Sequence, residues 1–266
     1  MKRIVITIIS LILTLCIMAQ GSVTACKNKV PGSYNYWFYT PDQDMGTDAH
    51  YPLLIFLHGQ SLCGNNLEKV RKYGPIDALK RGRVIDCYVI APQNPGGSWN
   101  PDKIMKIIEW AEKNYKVDSS RIYVYGMSLG GYGTIDMVAA YPDRIAAAMA
   151  MCGGATAKDL SGLNKVPLWI VHGTADRAVP VAQSDKVVEA MKAAGSTDRL
   201  IYTRMKGVDH GGPARIFYMA QTYDWLFYHC LDDEGRPVNR DFEITQEAMK
   251  NAYKDLGKNA SMEAYE

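Results

Sequence analysis

Short apolar runs recur along the chain, and most of them lack an alternation of apolar and polar positions. Seven such runs end in turn residues and predict β-strands at 36–39, 53–57, 88–91, 122–125, 147–151, 168–171 and 200–205. Continuous apolar runs are expected of strands that are covered on both faces, as in a parallel sheet.

Between these runs, apolar residues recur at three- and four-residue spacing, which predicts amphipathic helices. Two such faces are Ile104, Ile107, Ile108 and Ala111, and Val187, Val188 and Met191. A last helix is expected to include 221–226 and to begin near Pro213. Strands that alternate with helices predict an α/β fold, with a mostly parallel central sheet covered by helices on both faces.

The N-terminus has the pattern of a secretory signal. Lys2 and Arg3 precede an apolar run over 4–19, and small residues follow it. We therefore expect a signal peptide at 1–25, a catalytic domain at 26–231 and an extracytoplasmic protein. No other window is apolar enough to span a bilayer. The charged tail, 232–266, is expected to be peripheral and partly helical, with a helix at 245–256.

Two routes of signal processing are open. Val23-Thr24-Ala25-Cys26 resembles the lipobox of bacterial lipoproteins, in which Cys26 would be diacylated and become the new N-terminus. Alternatively, signal peptidase would cut after 19–21 or after Ala25 and release the protein to the periplasm or medium. The lipid anchor is the one membrane contact that the sequence predicts.

The composition limits the classes of partner and cofactor that we expect. The 266 residues are 47% hydrophobic and 22% charged, which is typical of a globular protein. Thirty Lys+Arg against 28 Asp+Glu give a net charge of +2, without the basic excess of a nucleic-acid-binding protein. Six cysteines are present, but they lack metal-ligand spacing. We expect no nucleic acid, no metal and no cofactor.

A nucleophile motif follows the predicted strand at 122–125. The sequence Gly126-Met127-Ser128-Leu129-Gly130 is G-x-S-x-G at a strand-to-helix junction, which is the context that this motif requires. The glycines leave room for a tight turn that exposes the serine hydroxyl. A serine also needs a base and a group that orients the base.

His210 is the predicted base, because it lies in a glycine-rich loop after the last predicted strand. Asp176 is the predicted orienting carboxylate, since it follows the strand at 168–171 and so shares a sheet edge with Ser128. His50 and His229 are interpreted as structural or surface residues. His58 and His172, each in a His-Gly pair at a strand end, are expected to shape loops. The order Ser, Asp, His is that of α/β-hydrolases.

Two backbone amides are expected to form an oxyanion hole. One belongs to Leu129, the residue after the nucleophile. The other belongs to Gln60, which follows His58-Gly59 at the end of the strand at 53–57.

The chain resembles the α/β-hydrolase superfamily over 36–228. More narrowly, it resembles bacterial secreted esterases of the feruloyl-esterase and polyhydroxybutyrate-depolymerase type, and the related "predicted peptidase" or phospholipase/carboxylesterase-like group. The motifs that carry the resemblance are Leu57-His58-Gly59, Ala91-Pro92-Gln93 with Trp99, Arg121-Ile122-Tyr123, the serine motif, Tyr141-Pro142-Asp143-Arg144, His172-Gly173-Thr174-Ala175-Asp176 with Val179-Pro180, and His210.

The resemblance implies a serine esterase that cleaves a small-molecule or oligosaccharide-linked carboxylic ester through an acyl-enzyme, without a cofactor. It also implies that Trp99 lies at the active-site mouth and binds substrate, although a tryptophan in a surface loop is an equal alternative. Leu62-Cys63 departs from the charged residues of many relatives and leaves the specificity open. Two other functions stay open: a serine peptidase of small peptides, and a non-catalytic binding lipoprotein on a hydrolase fold.

Overall fold

The computed structural model describes residues 21–41, 49–254 and 256. These residues contain an eight-stranded sheet in the order β1-β2-β4-β3-β5-β6-β7-β8. The strands are β1 (Ser22–Cys26), β2 (Tyr36–Thr40), β3 (Tyr51–Leu57), β4 (Tyr88–Pro92), β5 (Val117–Met127), β6 (Ala147–Met151), β7 (Leu168–Gly173) and β8 (Leu200–Met205). Strand β2 runs antiparallel to β1 and β4, and the other neighbouring strands are parallel. The seven predicted strands and the mostly parallel sheet are confirmed.

Among the described residues, six α-helices cover the two faces of the sheet. They are α1 (Pro75–Lys80), α2 (Pro101–Asn114), α3 (Leu129–Ala140), α4 (Ala182–Ala193), α5 (Ala220–Tyr228) and α6 (Gln246–Lys250). Helices α2, α3 and α4 pack on one face, and α1, α5 and α6 pack on the other. The predicted α/β-hydrolase fold, with helices on both faces, is confirmed.

The core explains why the strand sequences lack alternation. In β3, Leu53 and Leu57 face the layer of α2, α3 and α4, whereas Leu54 and Phe56 face the opposite layer. All four side chains are fully buried. Because both faces of the strand are covered, both sets of positions must be apolar.

The sequence pattern does not predict strand β1, because small residues after the apolar run indicate the end of a signal. It forms an antiparallel ladder with β2, from the pair Ser22 and Thr40 to the pair Cys26 and Tyr36. The strand therefore begins four residues before the expected start of the catalytic domain. The predicted signal core, 1–19, lies outside the described residues.

The expectation of one helix from Pro213 onward is corrected to two shorter elements. A 3₁₀ helix, Gly212–Tyr218, is separated from α5 by Met219, whose backbone is extended (φ −81°, ψ 131°). The guanidinium of Arg83 donates to the carbonyl of Tyr218 at 3.1 Å, and the hydroxyl of Thr222 donates to that of Ile216 at 2.7 Å. Side chains thus satisfy carbonyls that a continuous helix would have used.

The part of the tail that the structure describes, 232–254 and 256, is not peripheral, contrary to the sequence-based expectation. Helix α6 is shorter than the predicted helix, and Met249 within it is buried against the face that carries α5. The indole of Trp225 donates to the carbonyl of Asn239 at 3.0 Å. Tail side chains therefore complete one layer of the core. In the part of the chain that the structure describes, no helix has the length and apolarity needed to cross a membrane.

Candidate active site

Ser128 occupies a strained turn between β5 and α3. Its backbone has φ 58° and ψ −122°, a conformation that costs a non-glycine residue free energy and is concentrated at functional sites. A Cβ added to Gly130 would lie 1.8 Å from the carbonyl oxygen of Leu57, and one added to Gly126 would lie 2.5 Å from that same atom. The turn therefore requires both glycines, as the motif predicted.

Asp176 and His210 meet at the same edge of the sheet, on the loops after β7 and β8. The Nδ1 of His210 donates to Asp176 Oδ2 at 2.6 Å, and the amides of Ala178 and Val179 each donate to Oδ1 at 2.9 Å. Burial raises the pKa of the Asp176 carboxyl, but the bonds from His210, Val179 and Ala178 outweigh burial and lower it overall. Asp176 is therefore an ionised, fixed acceptor for the His210 ring.

The Ser128 turn and the His210 loop both contact the end of β6. The amide of Ser128 donates to the carbonyl of Met151 at 2.8 Å, and the Sγ of the next residue, Cys152, lies 3.9 Å from the carbonyl oxygen of His210. The His210 side chain is 27% exposed, and its Nε2 makes no hydrogen bond to any described residue. That nitrogen is thus available to a serine hydroxyl, and such bonds often tighten only when substrate binds.

Leu129 and Gln60 each begin a helix next to Ser128. Leu129 is the first residue of α3, and Gln60 is the first residue of the 3₁₀ helix Gln60–Leu62. The N–H of a first helical residue has no partner within its own helix and is available to an anion. A Cβ added to Gly59 would lie 3.4 Å from the Cβ of Ser128, so the loop that carries Gln60 touches the nucleophile.

His58 fixes this loop through both ring nitrogens. Its Nδ1 lies 2.7 Å from the carbonyl oxygen of Gly59 and must donate to it, and its Nε2 accepts from the amide of Asn94 at 3.1 Å. Burial lowers the pKa of His58 to about 4, so the ring is neutral at pH 7. The hydroxyl of Tyr73 accepts from the amide of Gly59 at 2.6 Å. Sequence reasoning missed Tyr73 and Asn94, because no local motif contains either residue.

Trp99 lies beneath the loop rather than on an open surface. The side chain is buried, with 3% of the residue exposed, and its indole donates to the carbonyl of His58 at 3.2 Å. A Cβ added to Gly133 of α3 would lie 2.6 Å from Trp99 Cδ1. The buried ring therefore supports the loop against α3, and the expected contact between Trp99 and substrate stays a prediction.

One group of potential metal ligands occurs among the described residues. Atoms of Cys152, His172 and Asp176 lie within 4.8 Å of one another, and all three residues are buried. Burial raises the pKa of the Cys152 thiol to about 12, so the thiolate that binds metals is disfavoured. Asp176 is already engaged by His210. We therefore infer that Cys152 and His172 pack around the Asp176 carboxylate and support it.

An open groove of about 490 Å³ lies on the exposed side of His210. Its lining residues are Ala175, Arg177, Ala178, Asp209, His210 and Gly211. The exposed imidazole edge therefore faces a space that could hold part of a substrate.

Comparisons with known proteins find similarity to esterases. A family model described as Phospholipase/Carboxylesterase matches residues 98–226. Poly(3-hydroxyalkanoate) depolymerase C of Paucimonas lemoignei is 27% identical over 210 residues, covering 60% of this chain and 48% of the relative. Probable acetylxylan esterase A of Aspergillus clavatus is 32% identical over 89 residues, covering 34% and 29%. The chain thus spans less than half of the length of these curated relatives.

Solved structures show the same fold. A thermostable esterase has a TM-score of 0.63 and 26% identity, with 79% of this chain and 63% of that chain covered. The feruloyl esterase module of Clostridium thermocellum has a TM-score of 0.59 and 17% identity, with coverage of 85% and 92%. At 17% identity, the similarity to the feruloyl esterase module shows a shared fold alone. Together with the eight-stranded sheet, these matches show that the chain has an α/β-hydrolase fold.

Proposed function

We propose that this protein is a serine hydrolase that cleaves carboxylic esters through an acyl-enzyme. The observation that carries the proposal is the strained backbone of Ser128, held by two obligatory glycines at the sheet edge where His210 is bonded to Asp176. Strain of this kind persists only where the surrounding structure enforces it, and it is concentrated at active sites.

In the first half of the reaction, the hydroxyl of Ser128 attacks the ester carbonyl while Nε2 of His210 takes its proton. Asp176 accepts from Nδ1, which fixes the tautomer and stabilises the imidazolium that forms. The amides of Gln60 and Leu129 donate to the oxyanion of the tetrahedral intermediate. His210 then protonates the leaving alcohol, and the acyl group stays on Ser128.

In the second half, water replaces the alcohol. His210 takes a proton from water, the hydroxide attacks the acyl-enzyme, and the same two amides hold the second oxyanion. Collapse releases the acid, and His210 returns the proton to Ser128. The side chains and amides of the chain supply each proton transfer and each charge contact in this cycle.

We propose small or oligosaccharide-linked esters as the substrate class. The relatives include an acetylxylan esterase and a polyhydroxyalkanoate depolymerase, and the fold is shared with a feruloyl esterase module. The groove beside His210 is open, as a bulky polysaccharide-linked ester would need.

A panel of purified variants and esters tests the proposed function. Aryl esters of rising chain length, methyl ferulate and acetylated xylan are assayed with the natural protein and with Ser128→Ala. We expect hydrolysis of at least one ester and a loss of several orders of magnitude in kcat for the variant. Ser161→Ala, which removes an exposed hydroxyl at the start of the 3₁₀ helix Ser161–Lys165, is the matched control and should retain activity. Near-normal hydrolysis by Ser128→Ala would contradict the proposal.

We also propose that the protein is exported and that its signal is removed before Ser22. The alternative in which Cys26 is diacylated would remove Ser22–Ala25, four residues that pair with β2. Cys26 is buried, with 9% of the residue exposed, and burial raises the pKa of its thiol despite a bond to Tyr36 and the nearby charge of Lys29. These contacts support cleavage after Gly21, which leaves β1 intact.

A further inference from the structure

A second groove lies next to the groove beside His210 and continues it toward the tail. Its volume is about 460 Å³, and Asp209 and Gly211 line both grooves. Helix α6 forms its far wall, where Nε2 of Gln246 donates to the carbonyl of Lys206 at 2.7 Å. The two grooves together therefore run from the His210 ring to α6.

Glycines give the second groove a surface with few side chains. Gly207, Gly211 and Gly212 all line it. Apart from chain neighbours, a Cβ added to Gly207 would meet nothing within 4 Å, and one added to Gly211 would meet only Asp209 Oδ1, at 3.8 Å. Because open space lies where side chains would stand, the groove can admit a broad group such as a sugar ring.

Each groove has an arginine in its lining. Arg177 lines the groove beside His210, and Arg215 lines the second groove. Both arginines are exposed, and neither guanidinium makes an ion pair or a hydrogen bond with a described residue. Lys250 also lines the second groove, but it pairs with Glu247 at 3.7 Å. Two guanidinium groups are therefore available to an anion in the grooves.

Asp209 is the one acidic residue among the described residues that line the two grooves. Its Oδ1 accepts from the amide of Gly212 at 3.0 Å, and it forms no ion pair with either arginine. The lining therefore carries more positive than negative charge. A guanidinium is planar and can donate to both oxygens of a carboxylate at once, so arginine is well suited to bind this group.

The proposed reaction decides which part of an ester would occupy the grooves. His210 protonates the leaving alcohol, so the oxygen of that alcohol must lie within hydrogen-bond reach of Nε2. The first groove lies on the exposed side of the same ring. The alcohol part of the ester, rather than the acyl group, therefore extends along the grooves, and this step rests on the proposed function.

We propose that the alcohol part of the substrate is an acidic oligosaccharide whose carboxylates bind Arg177 and Arg215. The two arginines line adjacent grooves rather than one pocket, which suits carboxylates that are spaced along a chain. Sites of roughly 300–1,000 Å³ hold drug-sized ligands, so grooves of about 490 and 460 Å³ have more room than one small hydroxy acid needs. A hydroxy acid is the other source of an alcohol that bears a carboxylate, and the experiments below distinguish the two.

Calorimetric binding to Ser128→Ala tests the grooves without turnover. The probes are xylo-oligosaccharides that carry glucuronate, neutral xylo-oligosaccharides of the same length, and 3-hydroxybutyrate. We expect the glucuronate-bearing probe to bind roughly tenfold more tightly than the neutral one, and Arg177→Gln or Arg215→Gln, added to Ser128→Ala, to weaken its binding about two- to fivefold.

Lys113→Gln is the control that is matched for charge. It removes an exposed positive charge from the last turn of α2, which precedes the opposite end of β5 from Ser128, and it should leave binding unchanged. Equal binding of the two oligosaccharides, tighter binding of 3-hydroxybutyrate, or an equal loss in Lys113→Gln would overturn the proposal.

Kinetics separate a failure of this proposal from a failure of the proposed function. Acetylated forms of the acidic and neutral oligosaccharides are assayed with the natural protein, Arg177→Gln and Arg215→Gln. We expect the ratio of kcat/KM for the acidic ester to that for the neutral ester to be roughly ten, to fall about two- to fivefold in each variant, and to fall as salt is added. A ratio of one in the natural protein would refute the arginine contacts and leave ester hydrolysis standing. Hydrolysis of neither ester, with the expected binding, would refute ester hydrolysis and leave the carboxylate site standing.

Discussion

Acid should weaken the fold through His58, the ring that fixes the loop carrying Gln60. Burial lowers the pKa of His58 from 6.5 to about 4. Since the folded-state pKa lies below the unfolded value, the unfolded chain takes up the proton first as pH falls. The loss of stability due to His58 is therefore absent above about pH 6.5. It grows as the pH falls from about 6.5 to 4 and is constant below that range.

The expected size of this effect follows from the pKa difference. A pKa difference of one between the folded and unfolded states corresponds to about 1.4 kcal/mol. Protonation of His58 therefore lowers the free energy of unfolding by about 3 kcal/mol at pH 4. His58→Gln removes the titration and weakens the bonds to Gly59 and Asn94. The variant should lose about 1–3 kcal/mol at pH 7.5. Between pH 6.5 and 4.5, however, the free energy of unfolding should fall by about 2–3 kcal/mol less in His58→Gln than in the natural protein.

Urea unfolding at several pH values measures both quantities, with midpoints and slopes fitted at each pH. His50→Gln, which removes an exposed histidine, is the matched control and should follow the natural protein. Parallel acid losses in the natural protein and His58→Gln would refute a buried neutral ring at position 58.

Three further predictions concern the loop support, metal dependence and the N-terminus. Gly133→Ala places a Cβ 2.6 Å from Trp99 Cδ1 and should lower kcat and the free energy of unfolding, the latter by about 1–3 kcal/mol, even though alanine favours helices. An unchanged melting temperature and turnover would contradict the close packing. EDTA should leave ester hydrolysis unchanged, and inhibition reversed by added metal would contradict a metal-free site. Mass spectrometry of exported protein should find Ser22 as the first residue in both the natural chain and Cys26→Ser, whereas a diacylated Cys26 in the natural chain would contradict this processing.

The sequence predicted the parts of the site that local motifs determine. Ser128 has glycines two residues away on each side, and the turn of the backbone depends on those neighbours. Asp176 and His210 each follow a strand, and the carboxyl ends of parallel strands share one edge of the sheet. The bond between these two side chains could therefore be expected from strand order alone.

The supporting residues could not be predicted in the same way, because their partners are distant in sequence. Trp99 is buried by its fit against Gly133, and the Tyr73 hydroxyl reaches the amide of Gly59 only in the folded chain. The small and apolar residues of β1 fit both a processing site and an edge strand. Pairing with β2 identifies the strand, and pairing is a property of the sheet rather than of the segment.

Labelling with a fluorophosphonate probe, followed by peptide mass spectrometry, examines the nucleophile itself. The proposed mechanism predicts one phosphonylated residue, Ser128, and loss of labelling in both Ser128→Ala and His210→Ala. The absence of labelling in active, folded protein, or labelling of another serine, would contradict Ser128 as the nucleophile.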